Sequence, residues 1–338
     1  MSTNVKPAPA GGETMPEPAQ IAGFWRRIFA LLIDMALLAC VGIVIGVLAF
    51  RQVAAFGQGG RLIGAVITLL YYGLLNSRLG GGATPGKRLL GLCVVDREGN
   101  PVSPMRSLLR TAVFWTPYYL NGVFFPGLAP TQPLGIVVGF FDAVIVFGGI
   151  GLIIYLYLFN RRTRQSLHDL IAATFVVTRE SVHRPVERRF WRAHLAIAGG
   201  CGLLILLLSV TALKFLWSSQ TRTLNQLTAL VQVVNSRPGV EYTQARISTF
   251  YSSSMTRTAL VINVRLRGVP RSLEATRDEI ADAVLRASPS ILGEQNLGVT
   301  VSYGYDLGIF RWTNSNNYMA TPKTWAQRLG AHGVGPTI

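Results

Sequence analysis

Charge is scarce in this chain. Only 14% of its 338 residues are charged, against about 25% in an ordinary globular protein. Acid is scarcer still, with 16 Asp+Glu against 32 Lys+Arg and a net charge of +16. Half of the residues are hydrophobic, which excludes a disordered chain. A nucleic-acid binder would add its basic excess to a normal charged fraction, and that fraction is missing, so no nucleic-acid partner is expected. The three cysteines, Cys40, Cys93 and Cys201, exclude a disulfide framework. The four histidines at 168, 183, 194 and 333 have no metal-ligand spacing, so no metal or other cofactor is expected. The sequence has no Gly-x-Ser-x-Gly element and no Ser/His/Asp grouping, and no enzymatic activity is expected. No basic segment precedes a short apolar core at the start. Residues 1–20, rich in Pro, Ala and Gly, therefore read as a disordered tail and not as a signal peptide.

What the chain has instead is long apolar runs. Ile28–Phe50 is 23 residues, about 34 Å as a helix at roughly 1.5 Å per residue, enough to cross a bilayer. Arg26 and Arg27 stand at its start, Arg51 at its end, and Asp34 is its one internal charge. A second, shorter run covers Leu62–Asn76 and can extend back to Val53. A soluble stretch follows, in which "GLCVVDREGNPVS" reads as two short strands around a Gly-Asn turn. Arg106–Leu128 is apolar but broken by Arg110, Pro117, Asn121 and Pro126. Leu134–Phe159 is the cleanest run, with Asp142 as its only charge, and Leu195–Leu213 is the last.

Six Lys or Arg lie from Arg78 to Arg110 and eight from Arg161 to Arg192, against two between the first two runs. Basic loops stay in the cytoplasm, so both rich segments and the N-terminus are expected there. Residues 111–128 then cross as a broken helix; the alternative, one crossing and one re-entrant piece over 111–159, would put one basic cluster outside. Five crossings leave the C-terminal region outside the cytoplasm. The basic blocks Arg161–Arg164 and Arg184–Arg192 either hold the loops inside or bind anionic lipid, at about 1 kcal/mol per residue.

Residues 219–338 differ in kind, with 12 basic and 7 acidic residues and no spanning run. The apolar spacing predicts a helix over 221–235 that can continue the last span, strands over 240–251 and 258–266, an amphipathic helix over 271–287 and a strand over 297–303. That is a small α+β domain in β-β-α-β order. Its aromatics Tyr303, Tyr305, Phe310, Trp312 and Tyr318 form either a surface for a protein partner or ordinary core and surface.

Arg27 and Asp34 are seven residues apart, close to two helical turns, and so share one side of a helix. Arg27 can snorkel to the headgroups. Asp34 cannot, and must face protein or a water-filled cavity, be paired, or be protonated. It reads as a functional acid or as a lock between helices. His168–Asp169 follow Arg161, Arg162 and Arg164. Asp169 can pair with one of these or with Arg88, and His168 ordinarily titrates near neutral pH. The pair fits a proton relay with Asp34, or a turn docked by ion pairs. Asp142 could face Asp34 across the bundle, where two carboxylates would share a proton or bind a cation. "GGATPGKR" (81–88) nearly matches a phosphate-binding loop. Arg88 replaces the required hydroxyl and no strand precedes it, so Lys87 and Arg88 are expected at headgroup level.

Arg27, Asp34, "TPGKRLLGLCVVDREGNPV" and "NRRTRQSLHDLIAATFVV" together resemble the RDD family of bacterial membrane proteins over about residues 21–180. The family is named for one arginine and two aspartates, which map to Arg27, Asp34 and Asp169. The resemblance implies a membrane location and transport of unidentified ligands, with cation/proton exchange suggested for some members. The expectation is an all-α polytopic bundle of about four to five spans in the bacterial inner membrane. It comprises an RDD-like domain over 21–180, a basic linker and last span over 181–218, and an extracytoplasmic α+β domain over 219–338. Function reads as a transporter or transporter subunit, with Arg27, Asp34, Asp142, His168 and Asp169 as its polar core. The alternative is a non-transporting scaffold or sensor whose C-terminal domain binds a partner.

Overall fold

The computed structural model describes residues 18–123, 133–187, 189–252, 255–287 and 295–331. The expected tail falls mostly on residues outside these, as do Arg188 and the end of the 111–128 segment. Helix α1 (Phe24–Leu48) is apolar along its length. It buries one stripe, Arg27, Ala30, Asp34, Leu38, Gly42 and Gly46, spaced three and four residues apart as one helical face requires. Helices α2 (Phe50–Phe56) and α3 (Gly60–Leu75), joined by a 3₁₀ turn at Gly57–Gly59, form one hydrophobic segment. The second run thus starts at residue 50, earlier than the clean apolar stretch alone indicates. Among the described residues, three helical segments are long and apolar enough to cross a membrane: Phe24–Leu48, Phe50–Leu75 and Leu134–Phe159.

Helix α4 (Pro85–Leu89) leads into strand β1 (Leu92–Val95). Helix α5 (Pro104–Leu120) starts at a Ser103 cap, whose hydroxyl accepts from the Arg106 amide, and carries Pro117 near its end. Helices α6 (Pro133–Ala143) and α7 (Gly149–Phe159) are one rod with a π-helical turn at Val144–Gly148. Helix α8 (Leu167–Ile171) and strand β2 (Phe175–Thr178) follow. The expected hairpin over 91–103 is corrected here. The turn at Asp96–Asn100 forms, but beyond it only Pro101 bridges back to Val95. The partner of β1 is β2, antiparallel, with Leu92 opposite Thr178. All four residues of each strand are buried, and burying a whole strand needs a partner as apolar as "FVVT". Residues 18–20, read from composition as the end of a loose tail, dock on this pair together with the two residues that follow. Ile21 bridges Val177 and the Ala22 amide donates to Val176 O at 2.9 Å.

Helix α9 (Ala193–Asn235) is 43 residues, about 65 Å. It is apolar over Ala193–Leu207, and its last turns enter the C-terminal domain. There β3 (Val240–Ser252), β4 (Met255–Leu266), β5 (Asn296–Asp306) and β6 (Arg311–Ala320) form a sheet in that order. Strands β4 and β5 are parallel, connected through α10 (Leu273–Ala287), and the other pairs are antiparallel. Leu230 and Val234 of α9 pack with Leu260, Ile262, Ile280, Leu297 and Trp325 in one core. The expected β-β-α-β order is present and continues with β6 and α11 (Pro322–Ala331). Strand β6 escaped notice because "RWTNSNNYMA" is polar and largely exposed.

The tip of the β5–β6 hairpin sits among α1, α3 and α5. Phe50 meets Tyr303, Tyr305 and Trp312 edge-on, at centroid distances of 6.4, 5.9 and 5.1 Å. Tyr118 donates from its hydroxyl to Gly308 O at 2.6 Å. A Cβ on Gly64 would lie 1.6 Å from Leu307 O, and one on Gly60 2.9 Å from Asp306 O. Tyr303, Tyr305, Phe310 and Trp312 therefore serve this intramolecular contact, whereas Tyr318 packs on Trp325 in the domain core. Helices α1, α3 and α5 all reach from the β1–β2 end to this tip.

Candidate functional site

Around the β1–β2 end, α1, α3, α4, α5, α7 and α8 line a cavity of about 250 Å³. Two acids and three bases border it: Asp34, Asp169, Arg27, Lys87 and Arg110. All five are buried.

Asp34 is 1% exposed. Its carboxylate accepts from Tyr71 Oη at 2.8 Å, Thr84 Oγ1 at 2.5 Å and the Gly86 amide at 2.9 Å. The Gly86 contact needs a glycine, because a Cβ there would stand 2.3 Å from Ala30 O. Asp34 thus ties α1 to α3 and to the first turn of α4. A carboxylate holding three donors can stay charged inside protein.

Asp169 is fully buried. Arg110 Nε donates to its Oδ1 at 2.8 Å, Thr174 Oγ1 to the same oxygen at 3.1 Å, and the Ser166 amide to Oδ2 at 3.4 Å. Arg27 Nη1 stands 3.9 Å from Oδ2. Ser166 and Asp169 form a capping box that starts α8, which explains why so short a helix exists there. Burial pushes the Asp169 carboxyl up, but Arg110, His168 and Arg27 more than offset this and hold it below the ordinary carboxylate range. Arg27 further donates to Arg164 O at 2.5 Å and Val176 O at 3.1 Å. Arg164 adopts φ 50° and Ala173 φ 50°, a left-handed conformation that non-glycine residues seldom take. Both bracket α8, which is where strain tends to be stored near functional groups.

The structure brings Arg27, Asp34, His168 and Asp169 to one cavity, and leaves Asp142 out of its lining. Asp142 lies eleven residues before Ile153, the first α7 residue at the cavity, about 16 Å along the rod. The partner of Asp169 is Arg110, in place of Arg88 or the 161–164 cluster. Arg88 is occupied by Ala83 O and Gly80 O. His168 departs from near-neutral titration. Burial, reinforced by Arg110 against the opposing pull of Asp169, lowers it to about 3. Lys87 does not reach outward either, being buried. It is folded inward and donates to Asn76 Oδ1 at 2.6 Å. Arg110 and Lys87 are the site residues that motif reading missed. A base inside an apolar run was the available signal for Arg110.

Burial also lowers Lys87, assisted by Arg110 and opposed by Asp34, to about 7. An unfolded Lys keeps its proton to about pH 10.4. Between these values the unfolded chain holds the extra proton, so stability rises with pH. Thermal unfolding in detergent should therefore show an upward slope from pH 7 to 10, and Lys87→Met should flatten it. Acid works through His168 and Asp169. As pH falls below about 6.5 the unfolded histidine takes a proton that buried His168 refuses. The Asp169 contribution is lost at still lower pH, as that carboxylate is titrated.

The cavity lies within the segment that matches known proteins. The RDD family model matches residues 21–173, which include all five charged cavity residues. YckC of Bacillus subtilis (strain 168), described as an uncharacterized protein, is 28% identical over 156 residues, which are 46% of this chain and 83% of that protein.

Proposed function

Residues 21–173 match the model of the RDD family, and on that premise we propose that this protein is a transporter, or the membrane subunit of one, for a small charged solute. The observation that carries the reading is the cavity. Five buried residues of the charged types, two Asp, two Arg and one Lys, border it where apolar helices meet. Ionisable groups at membrane depth are expensive and concentrate on pathways for ions and substrates. Passage would be charge-compensated, with protonation of Asp34 as the coupling step and His168–Asp169 at the inner mouth.

The proposed arrangement has five crossings in the inner membrane: α1, α2–α3, α5, α6–α7 and α9. The two basic segments meet through the β1–β2 pair, which supports a single, cytoplasmic side for both under the positive-inside rule. The C-terminal domain then lies outside the cytoplasm. Arg161 and Arg162, both exposed, would meet anionic headgroups, as would the Arg184–Arg192 block. No enzymatic step and no nucleic-acid partner is proposed.

In proteoliposomes loaded with a pH indicator, protons, monovalent cations and small carboxylates should be tested as solutes. Flux should exceed that of empty vesicles, and Asp34→Asn should abolish it while the detergent-purified protein keeps its elution profile and unfolding midpoint. No flux for any of these solutes overturns the reading. A second reading, a non-transporting scaffold or sensor, is favoured by the full engagement of Asp34, which locks three elements together. Unfolding of Asp34→Asn would support that lock. A reporter fused after Ile338 should behave as extracytoplasmic, and cytoplasmic activity there would remove one crossing.

A further inference from the structure

We infer that the ligand of the cavity is an oxyanion with an apolar body, a small carboxylate or phosphate monoester whose head is held by Arg110 and Lys87. The inference rests on the reading of this cavity as a ligand site and names the class that fits it.

Donors and acceptors at the cavity are unevenly spent. Asp34 already accepts three hydrogen bonds. Asp169 accepts three, and Arg27 lies beside it. A carboxylate offers roughly four lone-pair positions, so neither acid keeps much capacity to coordinate a cation. The bases are less engaged. Among the described contacts, Arg110 donates only from Nε, although a guanidinium carries about five N–H donors in a fork suited to carboxylate or phosphate. Lys87 donates one hydrogen bond, to Asn76. Arg27 Nε and Tyr72 Oη, at the same border, are buried without partners.

The charge count points the same way. Arg27, Lys87 and Arg110 outnumber Asp34 and Asp169. His168 does not change this balance, because burial keeps it neutral down to about pH 3 and it adds no further positive charge. A buried surplus cation is costly until an anion joins it or it loses its proton. Lys87, lowered to about 7, is the base able to do either, and an arriving anion would keep it charged.

The remaining walls are apolar and aromatic: Leu31, Phe114, Trp115, Ile153, Ile154 and Leu158. Ile154 and Leu158 are about half exposed on the α7 surface, where lipid would lie in the proposed bilayer. A volume of about 250 Å³ falls just below the roughly 300–1,000 Å³ of drug-sized pockets, which favours a short chain over a whole lipid.

The test uses the full chain in a neutral maltoside detergent, titrated by calorimetry with octanoate, octyl phosphate, octanol and octyltrimethylammonium. Octanoate or octyl phosphate should bind saturably and at least about tenfold more tightly than octanol or the ammonium, a gap of about 1.4 kcal/mol or more. Preference between the two anions separates a free-acid ligand from a lipid-type phosphate head, and either supports the inference. Lys87→Met and Ile154→Trp should each weaken anion binding by about tenfold or more, one through the head and one through the body. Arg110→Gln should do the same if it folds, and the other two variants carry the test if it does not. Equal or tighter binding of octyltrimethylammonium overturns the inference, as does anion binding that none of the variants changes. Failure of this inference and failure of transport are separable. Cation flux without anion binding removes the oxyanion, whereas anion binding without flux keeps it and removes the transporter.

Discussion

Asp169→Ala should produce the largest loss of stability of any single change in residues 21–173, about 3–5 kcal/mol by unfolding in detergent, because breaking a buried ion pair strands its partner. Arg110 loses its only described acceptor, and Arg27 loses the nearest negative charge. The Thr174 hydroxyl and the Ser166 amide are left facing a void, and the capping box that starts α8 is opened. A double-mutant cycle separates the charge from the packing. Arg110→Met combined with Asp169→Ala should cost less than the sum of the single changes by about 2 kcal/mol or more, since neither partner then remains as an unpaired buried charge. A single-site loss below about 1 kcal/mol, or strict additivity, would show that water already compensates the pair.

Gly64→Leu should separate the hairpin tip from the membrane helices. A Cβ at position 64 already meets the Leu307 carbonyl at 1.6 Å and its carbon at 2.8 Å. Backbone cannot turn away as a side chain can, so the tip must withdraw. Withdrawal exposes Tyr305 and Leu307, which are buried against Val53, and frees Tyr118 from Gly308. Hydrogen exchange of the amides at 305–312 should accelerate by at least about tenfold, as expected for loss of a docked segment. The domain itself should stay folded, because its core around Ile262, Ile280 and Trp325 does not involve the tip. Unchanged exchange at 305–312 would mean that the contact contributes nothing to holding the tip. Gly46→Leu is a milder control, since the atom it meets is the hydroxyl end of the Tyr305 side chain.

The sequence discloses the name-giving trio and conceals its partners for a physical reason. Arg27 and Asp34 share a helix face, and that follows from the helical period alone. Their ligands come from Thr84 and Gly86, some 50 residues on, and from Arg164 and Val176, some 140 on. Such distances reflect packing between elements, which local pattern does not encode. The missed pairing of β1 with β2 has the same origin, because each strand is too short to show a period and only their common burial joins them. Lys87 misled because a base beside a span usually snorkels. Here Asn76 and the Tyr72 ring receive it inside. The C-terminal domain was more legible, since its long strands alternate and α10 has a clear apolar side. The polar strand β6 is recognisable only by its register against β5.

The seating of residues 306–310 gives the C-terminal domain leverage. Tyr305 reaches α1 at Gly46, the Leu307 carbonyl reaches α3 at Gly64, and Gly308 reaches α5 at Tyr118. One rigid hairpin thus sets the spacing of three helices at once, and the same three helices supply Asp34, Tyr72 and Arg110 to the cavity. Gly46 and Arg27 are 19 residues apart on α1, roughly 28 Å along a single rod. A substitution that unseats the hairpin would therefore act on three helices at once, at the ends remote from the buried charges they carry.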